Sequence, residues 1–381
     1  MSDRRGLRLF QVAAFTSSFD RLMIAPLLIL LADALELTVA RAAATVTAYL
    51  VGYGVMQLVW SLLSDRYGRV RMMRLALTIA ALAGLAAAAS VNLEMLLVAR
   101  ALAGASFAAA VPGALVYIGD TVPVDRRQGP LSDLMRGTAV GSAAATLVAG
   151  VIGVLLSWRV PFVLVALVAL VLAGRLGRLP DPPLPAKPQA LASLRAVLRD
   201  RWALLVLFLA MGEGFVLVAV LNFLPAAVQA ADGANAAVAG AVAAVYGVAV
   251  LFSTPAVKRL APRVRPSRMV LGGGAMVAAG LASFVVDHGV AGVLIGCFLL
   301  GAGWAFMHTT LQTWATDVVP HARAAAVALF ATVLFSGSAM GTFVGGRLIA
   351  GGEYSLLFVV MLSIGVPLVA AAWLGRRSYV R

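Results

Sequence analysis

Acidic residues are scarce in this chain: 16 Asp and Glu stand against 30 Lys and Arg in 381 residues, and only 12% of the whole is charged. Cysteine is scarcer still. The single Cys297, set in "LIGCFLLG", excludes an internal disulfide and a cysteine-built metal site, and its apolar surroundings disfavour the thiolate that a nucleophile needs. With three histidines, the sequence holds no metal-ligand cluster, and neither a nucleophile elbow nor a phosphate-binding loop is present. An enzyme is therefore not expected, and no cofactor is called for.

What the chain has instead is apolar length. Residues of apolar type make up 62% of it and the mean hydropathy is +0.98. Runs such as "FVLVALVALVLAG" (162–174) are long and do not alternate. About 20 apolar residues span a hydrocarbon layer of about 30 Å as a helix, and only helices or closed barrels satisfy the backbone there. An all-α integral membrane protein follows. Hydrophobic segments lie at roughly 9–31, 42–63, 72–90, 95–118, 134–156, 160–177, 202–228, 238–256, 269–286, 291–313, 324–350 and 355–374, giving twelve spans. The start "MSDRRGLRLF" mimics a signal peptide, but the run after it is too long and contains Asp20 and Arg21, so an uncleaved first span is expected.

A net charge of +14 and a pI near 11.2 would also suit a nucleic-acid binder. Topology accounts for the charge better. With the N-terminus inside, 25 of the 30 basic residues fall at cytoplasmic positions, from Arg4, Arg5 and Arg8 through Lys187 to Arg376, Arg377 and Arg381. Nucleic acid is thus excluded as a partner, and both termini are placed in the cytoplasm. The stretch "LPDPPLPAKPQALASLRAVLRDR" (179–201) reads as a proline-rich tether ending in a short basic amphipathic helix at the membrane surface. It divides the chain into bundles at 1–178 and 202–381. The halves look repeated. "GSAAATLVAG" (Gly141–Gly150) and "GSAMGTFVGG" (Gly337–Gly346) share six of ten residues at an offset of 196, and "DTVPVDR" matches "DVVPHAR" at 197. Parallel six-helix repeats around a central site are a transporter plan.

The loop after the second span reads "SDRYGRVRMMR". Asp65, Arg66, Gly68, Arg69 and Arg71, with Ser61 in place of a leading glycine, resemble the loop signature of the major facilitator superfamily, and "RALAG" from Arg100 resembles that family's arginine motif in the fourth span. The resemblance covers essentially the whole chain. It implies two pseudo-symmetric six-helix bundles that transport by alternating access, and a cytoplasmic gate at this loop. Asp65 would meet the positive end of the eleventh span, and Asp120 would hold Arg69 or Arg71, as an acidic residue does in relatives. Gly141, Gly150, Gly337, Gly341, Gly345 and Gly346 are expected to let helices pack closely.

Charges inside spans mark function. Asp20 and Glu213 each lie about 18 Å from the cytoplasmic edge at 1.5 Å per residue, facing each other at one depth. Arg100 lies within a turn of Asp20, so a permanent Asp20–Arg100 strut and a proton-exchanging Asp20 are both open, with Arg21 an alternative strut partner. Glu213, in "GEG" and without an evident basic partner at its depth, is the preferred proton carrier. Asn222 and Gln312 add polarity to the inner helices. His308, about 26 Å from the outer edge, is read as a packing residue near the cytoplasmic mouth.

In superfamily members that export drugs against protons, the fifth span carries a glycine–proline pattern. Here Ala145, Thr146 and Ala149 replace its second glycine, its proline and its third glycine. "SFDRLMIAPLL" in the first span still resembles that exporter branch. Paired acids in an apolar cavity point to lipophilic cations. The expected function is proton-coupled efflux of amphipathic small molecules by a monomer in a bacterial inner membrane, with protons as the coupling ion. The alternative is an uptake symporter or facilitator for a small metabolite.

Overall fold

The computed structural model describes residues 4–123, 126–182 and 190–379. Lys187, Arg381 and the proline-rich part of the tether, 183–189, lie outside the described residues. All regular structure among the described residues is helical. Among the described residues, eleven helices are long and apolar enough to cross a membrane: α1 (Gly6–Ala34), α2 (Val39–Tyr67), α3 (Arg69–Ala88), α4 (Leu93–Thr121), α5 (Gln128–Leu155), α8 (Arg201–Asp232), α9 (Ala236–Leu260), α10 (Pro266–Val286), α11 (Val290–Val318), α12 (Pro320–Gly351) and α13 (Tyr354–Ser378). A twelfth apolar helix, α6 (Val160–Leu176), has 17 residues. α7 (Ala190–Arg199) is the short tether helix.

Polar side chains start several of these helices by accepting from amides that have no partner inside the helix. Asn92 accepts from Met95 N at 2.9 Å, Asn235 from Val238 N at 3.0 Å, and Asp200 from the amides of Trp202 and Ala203. α7 does not simply lie on a membrane surface. Its apolar side docks on protein, burying Val197 in the second half's core against the start of α12.

Two apolar clusters organise the molecule. The first draws on Phe10 to Leu176 and takes in Ala339; the second draws on Val197 to Ala372 and takes in Ala43. The repeat is exact at the level of contacts. A Cβ on Gly141 would run into the Phe15 carbonyl, and one on Gly337 into the Met211 carbonyl, with both members of the pair displaced by 196. Gly104 likewise meets the Tyr49 carbonyl and Gly301 that of Tyr246, displaced by 197. Lipid offers no hydrophobic drive for helix association, so such backbone approach is what holds the helices together.

The register fails at one place. α1 is interrupted at Met23–Ile24 and α8 at Asn222–Phe223, positions 199 apart, so α8 carries three more residues than α1 before its break. Part of the excess sits in a wide π turn, Gly214–Val218. Between halves, Gly150 lies on Ala236 and Gly346 on Ala40, again 196 apart, while Gly240 meets Thr146 and Pro26. These contacts close the end of the molecule opposite Asp65.

Candidate functional site

Asp20 and Arg100 meet inside the first half. Arg100 Nη1 donates to Asp20 Oδ2 at 3.0 Å and Nη2 to the Asp20 main-chain oxygen at 3.2 Å; both side chains are 1% exposed. The guanidinium also stands 4.3 Å above the Tyr49 ring and 5.5 Å from that of Phe162. Its Nε has no partner, and the Tyr49 hydroxyl faces the same carboxylate outside hydrogen-bonding geometry. Arginine keeps its charge throughout the accessible pH range, so this pair has the form of a fixed strut. At the repeat offset of 197, the position matching Arg100 holds Cys297, which cannot form such a strut.

The second half pairs Glu213 with His308 instead. Nδ1 of His308 lies 2.8 Å from Oε2 of Glu213. The carboxylate is fully buried, the imidazole is 12% exposed, and the second carboxylate oxygen has no partner. Trp304 stacks on the imidazole with ring centroids 4.0 Å apart, and the Phe330 ring stands edge-on to it at 5.5 Å. The expectation that Glu213 lacks a basic partner at its depth is therefore corrected, as is the placement of His308 near a mouth. The reason is helix length. With 29 residues, α11 runs about 43 Å and overshoots a core of about 30 Å, so depth counted from its far end is exaggerated. Counted from Val318, His308 lies about 15 Å in, level with Glu213. Of the glycines beside Glu213, Gly214 packs against the Leu334 carbonyl and opens the π turn, a local widening frequent at functional sites.

Each acid is thus engaged within its own half, and the two do not form an opposed pair of free carboxylates. Arg21 points elsewhere. Adjacent helical residues diverge by about 100°, and its guanidinium stands 5.1 Å from the Phe335 ring of α12, in the opposite half. Tyr246 of α9 lies within electrostatic reach of both Arg21 and Glu213. Arg21 is not the strut partner of Asp20.

Asn222 sits at the break in α8, where its Nδ2 donates to Thr342 Oγ1 at 3.1 Å. Gln312 is half-buried on α11, and no hydrogen bond engages it among the described residues. Gly341 meets the Phe215 carbonyl and Gly345 the Phe223 ring. Among the described residues no three His, Cys, Asp or Glu side chains converge as a metal site.

At the loop between α2 and α3, Arg69 is buried. It donates from Nε to Asp120 Oδ2 at 3.1 Å and from Nη1 to Ser64 Oγ at 3.2 Å and to Asp65 Oδ1. Ser61 is half-buried in the wall of a crevice beside Trp60 and Met72, while Arg66 and Arg71 are exposed. Asp65 does not reach α12: among the described residues its polar partner is Arg69. The halves are packed at the other end, and α7 docks on the start of α12.

Sequence reasoning missed Asp181. Its Oδ1 accepts from Val70 N at 2.6 Å and its Oδ2 from Arg71 N at 3.2 Å, so the first residues of the tether cap α3. Gly68 has φ +103°, and a Cβ there would stand 2.7 Å from Asp181 Oδ2. The glycine of the loop signature therefore serves both the turn and the cap.

A family model described as Major Facilitator Superfamily matches residues 11–342. A curated relative, the "Uncharacterized MFS-type transporter YybF" of Bacillus subtilis (strain 168), is 25% identical over 347 residues, covering 88% of this chain and 83% of its own. Among solved structures, a bacterial homolog of the human lysosomal transporter Spinster, in an inward-facing and unoccupied conformation, superposes with a TM-score of 0.79 at 16% identity, covering 99% of this chain and 98% of that one. A D-xylose-proton symporter gives 0.80 at 16% identity, covering 96% of each chain. A nucleoside transporter, NupG, gives 0.80 at 14% identity, covering 97% and 99%. At these identities the structures speak for the fold alone.

Proposed function

Because the chain belongs to the Major Facilitator Superfamily, we propose that it is a proton-coupled secondary transporter that exports amphipathic small molecules across a bacterial inner membrane. Both termini lie in the cytoplasm, a monomer suffices, and the proton is the coupling ion. The observation that carries this reading is the Glu213–His308 pair. An imidazole and a carboxylate share one hydrogen bond, the carboxylate has no exposure, and the imidazole is 12% exposed. A proton arriving at the imidazole can pass to the carboxylate and back. Its presence changes the charge of the second half, whereas the Asp20–Arg100 pair keeps the first half's charge constant. A ligand shifts an equilibrium only by its differential affinity for the two states, and a proton bound at this pair in one state supplies that difference.

The test is flux in proteoliposomes with and without a pH gradient. One proton per substrate across one pH unit supports a gradient of about tenfold, since one pH unit is 1.36 kcal/mol. Wild-type protein is expected to concentrate substrate by that factor. Glu213→Gln, neutral at every pH, should keep gradient-free exchange and lose concentration altogether. Concentrative transport by Glu213→Gln would remove proton coupling from this pair.

A further inference from the structure

Four ionisable side chains lie within the spans away from the helix ends, together with one histidine, and the structure accounts for all but one of them. Asp20 and Arg100 cancel in the first half. Glu213 and His308 are bonded in the second. Arg21 remains. It is half-buried, and it makes no ion pair or hydrogen bond among the described residues. An intramembrane charge without a counter-ion is costly and persists where a pathway or ligand uses it.

The surroundings of Arg21 are aromatic and rich in donors. Its guanidinium reaches Phe335 across the interface between halves. Tyr53 stands edge-on to the same Phe335 ring at 4.6 Å. The Tyr49 hydroxyl faces Asp20, and Tyr246 of α9 lies within electrostatic reach of Arg21. These are O–H and N–H donors beside ring faces. No carboxylate that is free of its own partner offers to hold a cation here. A guanidinium presents donors in a fork that matches a carboxylate or phosphate.

We infer that Arg21 is the recognition group of the transport site, and that the substrates are organic anions with an apolar or aromatic body. The anionic head pairs with Arg21, and the body lies against Phe335 and Tyr53. This replaces the lipophilic cations that paired acids would have favoured. It rests on the transporter reading above but not on the coupling ion. Arg21 contacts both halves through one side chain, so a bound anion neutralises a charge at the surface where the halves separate and rejoin.

The test is binding to purified full-length protein in detergent, where no gradient exists. Three matched probes differ in head group alone: 4-phenylbutyrate, 4-phenylbutylamine and 4-phenylbutanol. Thermal unfolding followed by light scattering reads binding as a rise in melting temperature. The acid is expected to stabilise the wild type with an apparent Kd at least tenfold below that of the amine. Arg21→Gln should erase the preference, and Arg21→Lys should keep part of it, since lysine holds the charge without the fork. The empty Arg21→Gln protein should melt no lower than the wild type, whereas a cation with a purely structural role would make it melt lower. Equal stabilisation by the amine, an acid preference surviving in Arg21→Gln, or no shift with any of the three probes overturns the inference. Selective binding of the acid without pH-driven flux leaves it standing and refutes the coupling instead. Flux confined to the amine does the reverse.

Discussion

Asp20→Asn separates a strut from a proton carrier. The substitution keeps the side chain's size and removes its charge. Arg100 retains its bond to the Asp20 main-chain oxygen and the faces of Tyr49 and Phe162, and asparagine still offers an oxygen to Nη1. What disappears is the only opposite charge, among the described residues, bonded to a guanidinium that is 1% exposed and already has an unpartnered Nε. Breaking a buried pair from one side costs about 3–5 kcal/mol. The surviving hydrogen bonds and ring contacts, the latter worth up to about 2 kcal/mol when desolvated, place the cost at the low end, about 3 kcal/mol. For a unit the size of the first half, each kcal/mol moves the melting temperature by roughly 2–4 °C, so a fall of about 6–12 °C is expected in detergent. Arg100→Met alone should also destabilise. The double substitution should recover much of the loss, because an apolar replacement leaves no orphaned charge. Melting within 2 °C of the wild type, together with selective loss of pH-driven flux, would refute the strut and make Asp20 the proton carrier.

Asp65→Asn should leave the melting temperature nearly unchanged, because a partly exposed pair contributes at most about 1 kcal/mol and Arg69 keeps Asp120. Substrate flux should nevertheless fall sharply if the loop stabilises the state in which the Asp65 ends of the halves meet, and normal flux would count against a gate there. Asp181→Ala removes the cap of α3, worth about 1 kcal/mol, and should lower the melting temperature by roughly 2–4 °C; an unchanged value would show the cap to be dispensable. In the loop between α10 and α11, the amides of Gly289 and Gly292 bind the Asp287 carboxylate and hold its pKa below the usual range. A lowered folded-state pKa gives a contribution that is complete above the unfolded carboxylate value and disappears as pH falls through the folded one. The stability gap between wild type and Asp287→Ala should therefore be constant near neutrality and narrow in acid, and a pH-independent gap would rule the charge out.

The spans were legible because twelve long apolar runs leave little freedom in assignment, and the repeat because glycines recur at matching positions where helix backbones touch. The resemblance to relatives offered Arg69 or Arg71 as the partner of Asp120, and the structure selects Arg69. The Glu213–His308 pair was not, because the depth of His308 was counted along α11 as though helix and bilayer were equally long. Asp181 was obscured by the prolines that follow it, whose stiffness suggests a spacer and says nothing of a carboxylate just before them. The separation of Asp65 from α12 belongs to how the two halves are arranged, which a single sequence does not specify.

The three residues by which α8 exceeds α1 bear on how a duplicated chain acquires a new chemistry. Three residues fall short of a full helical turn, so groups beyond the insertion are swung to a different azimuth from their counterparts in the first half. The Gly337 and Gly341 contacts on Met211 and Phe215 hold the stretch before the insertion at the ancestral setting, and the π turn takes up part of the mismatch within a single loop of backbone. Glu213 stands in the stretch still held at the first setting, next to the π turn. The symmetry is kept at the packing contacts and given up along a few ångströms of one helix.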